Sequence, residues 1–178
     1  MRFILNKTLN IIIVGWPIQL INILTGLLPN SKVTCSIRGF LMKPFFKKVG
    51  KNFQIGSNVI INQTKKISIG NNVYIAHNNW INGSGGLEIK NNVMIGPSCV
   101  ITTTKHIKRN KSIRFGGHSF GKVLINEEVW IGGNTSILPN VEIGRNTIIG
   151  AGSVVTKSIR KNSIACGNPA KIIKENDE

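Results

Sequence analysis

Acidic residues are scarce in this chain. Of 178 residues only 7 are Asp or Glu, against 23 Lys or Arg, for a formal charge of +16. The shortage is uneven. Residues 1–50 hold seven basic residues and no acid, residues 51–123 hold ten and the single acid Glu88, and residues 124–178 hold six of each sign. A basic front two thirds points to an anionic partner: nucleic acid, anionic lipid or an anionic substrate. Aromatics make up 6% of the chain. Neither aromatic-interleaved basic strands nor a helix-turn-helix pattern is present, which argues against nucleic acid. The three cysteines, Cys35, Cys99 and Cys166, are odd in number and far apart, with no C-x-x-C. That excludes a disulfide framework and a zinc finger and fits a reducing compartment. A hydrophobic fraction of 41% is enough for a core, and the length fits one domain of ~100–200 residues.

No charge occurs from Thr8 to Ser31. The apolar run Leu9 to Leu28 matches the ~20 residues that cross a bilayer. Asn10, Gln19 and Asn22 are polar, however, and Pro17 follows Gly15 and Trp16, so the run is expected to break into two short amphipathic pieces. The next stretch sets Arg38, Lys43, Lys47 and Lys48 among bulky apolar residues. Such a mixture suits a helix lying in a membrane surface, the cations meeting lipid phosphates. Covering the end of the domain, building an oligomer interface, or a true span are the other readings. No small-x-small cleavage site follows, which disfavours a removed signal peptide.

The rest of the chain repeats every six residues. Ile55 and Ile61 form one run; Ile69, Ile75 and Ile81 a second; Ile89, Ile95, Ile101 and Ile107 a third; Ile125, Ile131, Ile137, Ile143, Ile149 and Val155 a fourth. The phase slips by two residues at Gln63–Lys66 and again at Gly83–Gly86, and Ile107 to Ile125 spans 18 residues, so residues 108–124 can loop out without loss of register. Four residues after the leading Ile a small or β-branched residue recurs, among them Val59, Cys99, Thr135 and Ser153; Gly often follows the Ile directly. Neither an α-helix nor a hairpin has a period of six. A triangular coil does: three short strands and three bends per turn, one large aliphatic residue pointing inward from each face. Gly and Asn at the bends are expected to supply positive φ.

Residues 50–174, and above all the segment Val129 to Ile173 with its closing GNPAK, resemble the hexapeptide-repeat acyltransferases, in the maltose, galactoside and surface-polysaccharide O-acetyltransferase branch. The resemblance implies a mainly β fold, a left-handed parallel β-helix that assembles as a homotrimer. It divides the chain into an apolar and basic helical segment (1–50), the β-helix (51–164, with loop 108–124) and a short tail (165–178). It also implies transfer of an acetyl group from acetyl-CoA, as donor substrate and without a metal, to a carbohydrate hydroxyl. An N-acyltransferase acting on an amino sugar or amino acid, and a non-catalytic β-helix scaffold, are the alternatives.

Acyl transfer from a thioester needs a base for the acceptor proton and donors for the oxyanion. His77, His106 and His118 are the only histidines. His106 ends the Thr-rich hexad ITTTKH just before the loop, where the family places its catalytic imidazole; an ordinary imidazole pKa of ~6.5 suits a base. By the same resemblance His77, Asn79 and Trp130 belong to the acceptor side. His77 stands where relatives often carry Asn. Gly133, Ala151, Thr156, Lys157 and Lys171 belong to the acetyl-CoA site, small residues admitting the pantetheine arm and lysines meeting phosphate. Lys171 replaces the family's Arg, so bidentate phosphate binding is lost there. His118, in FGGHSF, suits a surface or substrate-lid role. A three-His metal site like that of gamma-class carbonic anhydrases is disfavoured, because His77 and His106 are one and a half coils apart and face different sides. The basic, apolar N-terminus suggests a lipid-linked sugar, with the protein in the cytoplasm at the inner face of the membrane.

Overall fold

The computed structural model describes Ile13 and residues 15–176; the start of the apolar run, residues 9–12 and 14, lies outside the described residues. From Lys48 onward the hexads wind into a coil with three parallel walls. The first wall is Lys48–Val49, Ile67–Ile69, Leu87–Ile89, Val123–Ile125 and Glu142–Ile143. The second is Gln54–Ile55, Tyr74–Ile75, Met94–Ile95, Trp130–Ile131, Thr147–Ile149 and Ser163–Cys166. The third is Ile60–Asn62, Trp80–Asn82, Val100–Thr102, Ser136–Ile137 and Val154–Val155. Strands this short follow from the period: six residues must hold a straight side and a bend.

The aliphatic ladders stack as the spacing predicts. Ile69, Ile89, Ile125 and Ile143 lie in register on the first wall. Ile55, Ile75, Ile95, Ile131 and Ile149 do so on the second, and Ile81, Ile101, Ile137 and Val155 on the third. All are at most 2% exposed. The small slots, including Val59, Cys99, Thr135 and Ser153, are equally buried. Burial raises the Cys99 thiol pKa, so this cysteine is an inert filler of the core.

Register explains the phase slips. Val49 pairs with Ile69 and Ile69 with Ile89, so each of the first two coils takes 20 residues. The extra pairs sit at corners: Thr64–Lys66 forms a short 3₁₀ turn, and Gly86 closes another turn onto Gly83. Ile125 pairs with Ile143, a coil of 18.

Two expectations need correction. Positive φ at the corners comes mainly from asparagine, at Asn52, Asn58, Asn72, Asn78, Asn92, Asn134 and Asn146, among others. The Gly that follows each Ile does not have it and serves close approach instead: a Cβ on Gly132 would lie 2.5 Å from the Ala151 amide nitrogen in the next coil. The corner asparagines also bond from coil to coil, Asn52 donating to Asn72 at 3.2 Å and Asn72 to Asn92 at 2.9 Å. The tail is the second correction. The limit at residue 164 falls inside Ser163–Cys166, where Ala165 is fully buried beneath Ile149. Lys171–Glu175 then folds back antiparallel on that strand and covers the open edge of the second wall.

Two helices cover the opposite end. We label Trp16–Gly26 α1 and Lys32–Met42 α2. The break expected at Pro17 falls where the described residues begin: α1 starts at Trp16, and Pro17 stands in its first turn, where its missing N–H costs nothing. Ser31 caps α2 in a reciprocal box with Thr34. Ile18, Cys35 and Met42 are buried against the coil, and α2 sits so close that a Cβ on Gly39 would lie 2.0 Å from the Phe53 carbonyl oxygen. Among the described residues no helix is long and apolar enough to cross a membrane.

Candidate active site

Among the described residues the coil makes one long excursion, and it carries His106. The chain leaves the third wall after Thr103, whose buried hydroxyl donates to the Asn82 carbonyl at 2.7 Å and accepts from the Gly85 amide at 2.8 Å. It rejoins at Gly121, whose amide donates to the Thr103 carbonyl at 2.9 Å. Between them Thr104–His106 pairs antiparallel with His118–Phe120. The tip is a two-residue turn. Arg109 and Ser112 exchange both backbone bonds at 3.0 Å, and Asn110 and Lys111 take φ of 49° and 62°. Positive φ at both central residues matches strand twist in such a turn.

The excursion is therefore 104–120, not 108–124. Leu124 belongs to the first wall, and Ile107 lies in the hairpin rather than in a ladder. Ile107 falls in phase with the hexads, yet the ladders join Ile101 to Ile137 and Ile89 to Ile125 across 36 residues. A hairpin closed at its base leaves the register on either side free of its length.

Antiparallel pairing places His106 opposite His118, both exposed, with ring centroids 4.4 Å apart and planes tilted by 60°. His118, expected in a surface or substrate-lid role, is exposed and lies against His106, a pairing the sequence reading did not foresee. The signal was present: TKH and HSF are short alternating segments flanking a turn with Gly116 and Gly117. Asn82 was also missed. It pairs in register with Thr102 and its amide reaches the Thr104 hydroxyl at 3.5 Å, two residues from His106. Where the hairpin returns, Glu88 accepts from Lys122 at 2.7 Å and pairs with Lys90. These two ammonium partners hold the Glu88 carboxyl down at about 2.

The remaining candidates separate by corner. His77, Gly133 and Ala151 share the second-to-third corner, in one column that runs Ser57, His77, Pro97, Gly133, Ala151. Thr156 and Lys157 lie at the third-to-first corner, the one from which the His106 hairpin leaves, two coils further on. Trp130 projects half-exposed from the second wall, and Lys171 is exposed on the return strand. Asn79 is withdrawn from the acceptor side. It is 1% exposed, its amide donates to the Ala76 carbonyl at 2.7 Å and the Gly96 carbonyl at 3.0 Å, and its oxygen accepts from the Cys99 amide at 2.9 Å. With donors and acceptor engaged inside a corner, it builds the coil.

One chain thus holds His106 and Trp130 on different walls. The outward ladders of the three walls differ in character. The second wall presents Gln54, Tyr74, Met94, Trp130 and Ile148, and the third presents Ile60, Trp80, Val100, Ser136 and Val154. The first presents Lys48, Ser68, Glu88, Leu124 and Glu142. Two adjacent apolar walls beside one polar wall suit burial of a corner between copies.

Comparison with known proteins agrees with the fold. The bacterial transferase hexapeptide family (six repeats) matches residues 122–157. The galactoside O-acetyltransferase of Escherichia coli strain K12 is 36% identical over 138 residues, covering 78% of this chain and 68% of that protein. A solved galactoside acetyltransferase in complex with coenzyme A superposes with a TM-score of 0.79 at 32% identity, covering 90% of this chain and 79% of that one. A maltose O-acetyltransferase from Clostridium difficile 630 superposes at 0.78 with 30% identity, covering 97% and 91%. The chain spans 65% and 38% of the length of two further relatives, from Saccharomyces cerevisiae and Lactococcus lactis.

Proposed function

The chain belongs to the hexapeptide-repeat acetyltransferase family, and on that premise we propose that it transfers an acetyl group from acetyl-CoA to a sugar hydroxyl, with His106 as general base. The observation that carries this reading is an exposed imidazole on the one long excursion of the coil among the described residues. The acceptor oxygen attacks the thioester carbonyl carbon while His106 takes the hydroxyl proton. The carbonyl π pair moves to oxygen, then returns as the C–S bond breaks. The departing thiolate takes the proton back from the imidazolium, and no residue is acylated.

Support for the donor side is steric and electrostatic. Gly133 and Ala151 leave the last two coils of the second-to-third corner free of side chains beyond Cβ, which suits a thin pantetheine arm along the backbone. Thr156, Lys157 and Lys171 are exposed, and neither lysine is in an ion pair among the described residues, leaving both for phosphate. His77 and Trp130 are assigned to the acceptor side.

The assembly we propose is a homotrimer joined through the second and third walls, which brings the His106 hairpin of one chain to Trp130 of the next. For the acceptor we favour a lipid-carried sugar of surface-polysaccharide assembly. The support is charge: Lys105, Lys108, Arg109, Lys111 and Arg114 crowd the hairpin, and no carboxylate lies between Glu88 and Glu127. Thiol release from acetyl-CoA, measured over sugars with free hydroxyls and with free amines, tests the reaction. His106→Ala is expected to lower the rate ~10²–10⁴-fold. Undiminished turnover would reject the base, and turnover confined to amines would reject O-transfer.

A further inference from the structure

The helices that cover the first coil are apolar on two sides. One side, with Ile18, Cys35 and Met42, is buried on the coil. The other is bare. On α1 it is a stripe of Trp16, Leu20, Leu24 and Leu27, and on α2 a stripe of Val33, Ile37 and Phe40, exposed by 43% to 91%. Both stripes follow the spacing of a helix face made for burial, and together they exceed the scattered apolar exposure of an ordinary surface.

The layer is held rigidly. Arg38 in α2 is fully buried without a carboxylate partner among the described residues. Its guanidinium donates instead to the Thr25 carbonyl at 2.7 Å and the Leu28 carbonyl at 3.0 Å, at the carbonyl end of α1, and to the Asn30 side chain at 3.0 Å. A cation there complements the negative end of the helix. Asn30 in turn accepts from the Ser57 amide at 2.8 Å, and Asn22 donates to the Val59 carbonyl at 3.1 Å, tying both helices to the coil.

Charge decides between occupants. Lys32 opens α2, Lys43 follows its last turn with its ammonium 3.4 Å from the Gly50 carbonyl, and Lys47 comes four residues later, all exposed. No acid precedes Glu88 in the sequence. A second copy docked through its own α1 and α2 would bring cations against cations, with no carboxylate before Glu88 to pair them. A surface of lipid headgroups carrying phosphate supplies the opposite charge and accepts the bulky side chains below it. We infer that the outer face of α1 and α2 docks the protein onto an anionic lipid bilayer, lying in the surface without crossing it. The inference rests on the helical layer alone and is independent of the proposed reaction.

The test is cosedimentation of the full chain with vesicles of phosphatidylcholine mixed with phosphatidylglycerol, and with vesicles of phosphatidylcholine alone. Binding to the mixed vesicles is expected to be ~10-fold or more tighter, and to weaken with salt. A Trp16→Ser, Leu20→Ser, Phe40→Ser variant, checked for native circular dichroism, should bind at least ~100-fold more weakly. A Lys32→Gln, Lys43→Gln, Lys47→Gln variant should lose the preference for the anionic lipid. Equal binding by the native chain and the serine variant, or no difference between the two lipids, overturns the inference. So does a lipid-free assembly that the serine variant dissolves, because the face would then join copies. Acetylation of a soluble sugar, measured alongside, reads the transferase proposal separately: retained acetylation without vesicle binding removes the docking claim alone.

Discussion

On the first wall the outward ladder is Lys48, Ser68, Glu88, Leu124 and Glu142; on the third it is Ile60, Trp80, Val100, Ser136 and Val154. Inward, both walls present the same stack of aliphatic side chains with almost no exposure. Inner and outer positions alternate along each strand, as the pleat requires, so the two ladders are under separate demands. The inner one closes the coil. The outer one sets how polar each wall's surface is and, in the proposed trimer, which wall meets another copy. Residues with the same hexad position, such as Glu88 and Val100, therefore differ for reasons that folding of one chain does not supply.

A charge placed on the third wall breaks that contrast most severely. Val100→Glu is expected to separate the copies and, because His106 and Trp130 lie on different walls, to cut thiol release at least ~100-fold, while the chain stays folded. Sedimentation and activity read it, and Ser68→Glu on the first wall should change neither. An undiminished assembly mass for Val100→Glu would show that this wall is not the contact. Next in size is the inner ladder. Ile137→Ala is expected to cost ~2–5 kcal/mol in urea unfolding, since its side chain is fully buried, whereas half-exposed Leu124→Ala on the first wall should cost under ~1 kcal/mol. Equal losses would deny that inner and outer ladders do different work.

The smallest effect concerns pH and the first wall alone. Glu88 is bonded by Lys122 and Lys90, which lower its pKa from 4.5 to about 2 in the folded chain. Its folded pKa lies below the unfolded value, so its contribution is complete above about pH 4.5 and is lost as pH falls toward about 2. Glu88→Gln should flatten the dependence of unfolding midpoint on pH within that window. The shift should be modest, because the pair faces solvent. An unchanged slope would mean that the two lysines do not hold Glu88 as described.

Much of the coil was legible before any coordinate. Ile131 and Ile149, or Cys99 and Thr135, take their places because period and side-chain size are local properties, readable residue by residue. The two-residue slips at Gln63–Lys66 and Gly83–Gly86 became coils of 20 for the same reason. Ile107 was misread, because a hairpin strand and a wall can share a phase by chance while only pairing partners tell them apart. Asn79 was misread because relatives place polar residues nearby, whereas here its amide is drawn inward to bind two carbonyls. Glycine and asparagine were expected to share the positive-φ corners, but the Gly after each Ile serves close approach instead, since steric room between coils depends on the neighbouring coil and not on the bend itself.

The amino-acid sequence alone determined a three-sided coil with aliphatic ladders and put an imidazole, His106, at its interruption, because a hexad carries its own strand, bend and inward side chain. Only the tertiary structure decided that His118 faces His106, that Trp130 stands on another wall, and that α1 and α2 leave an apolar face exposed among the described residues. Those outcomes depend on pairing between residues far apart along the chain, and no local period encodes which distant surfaces meet.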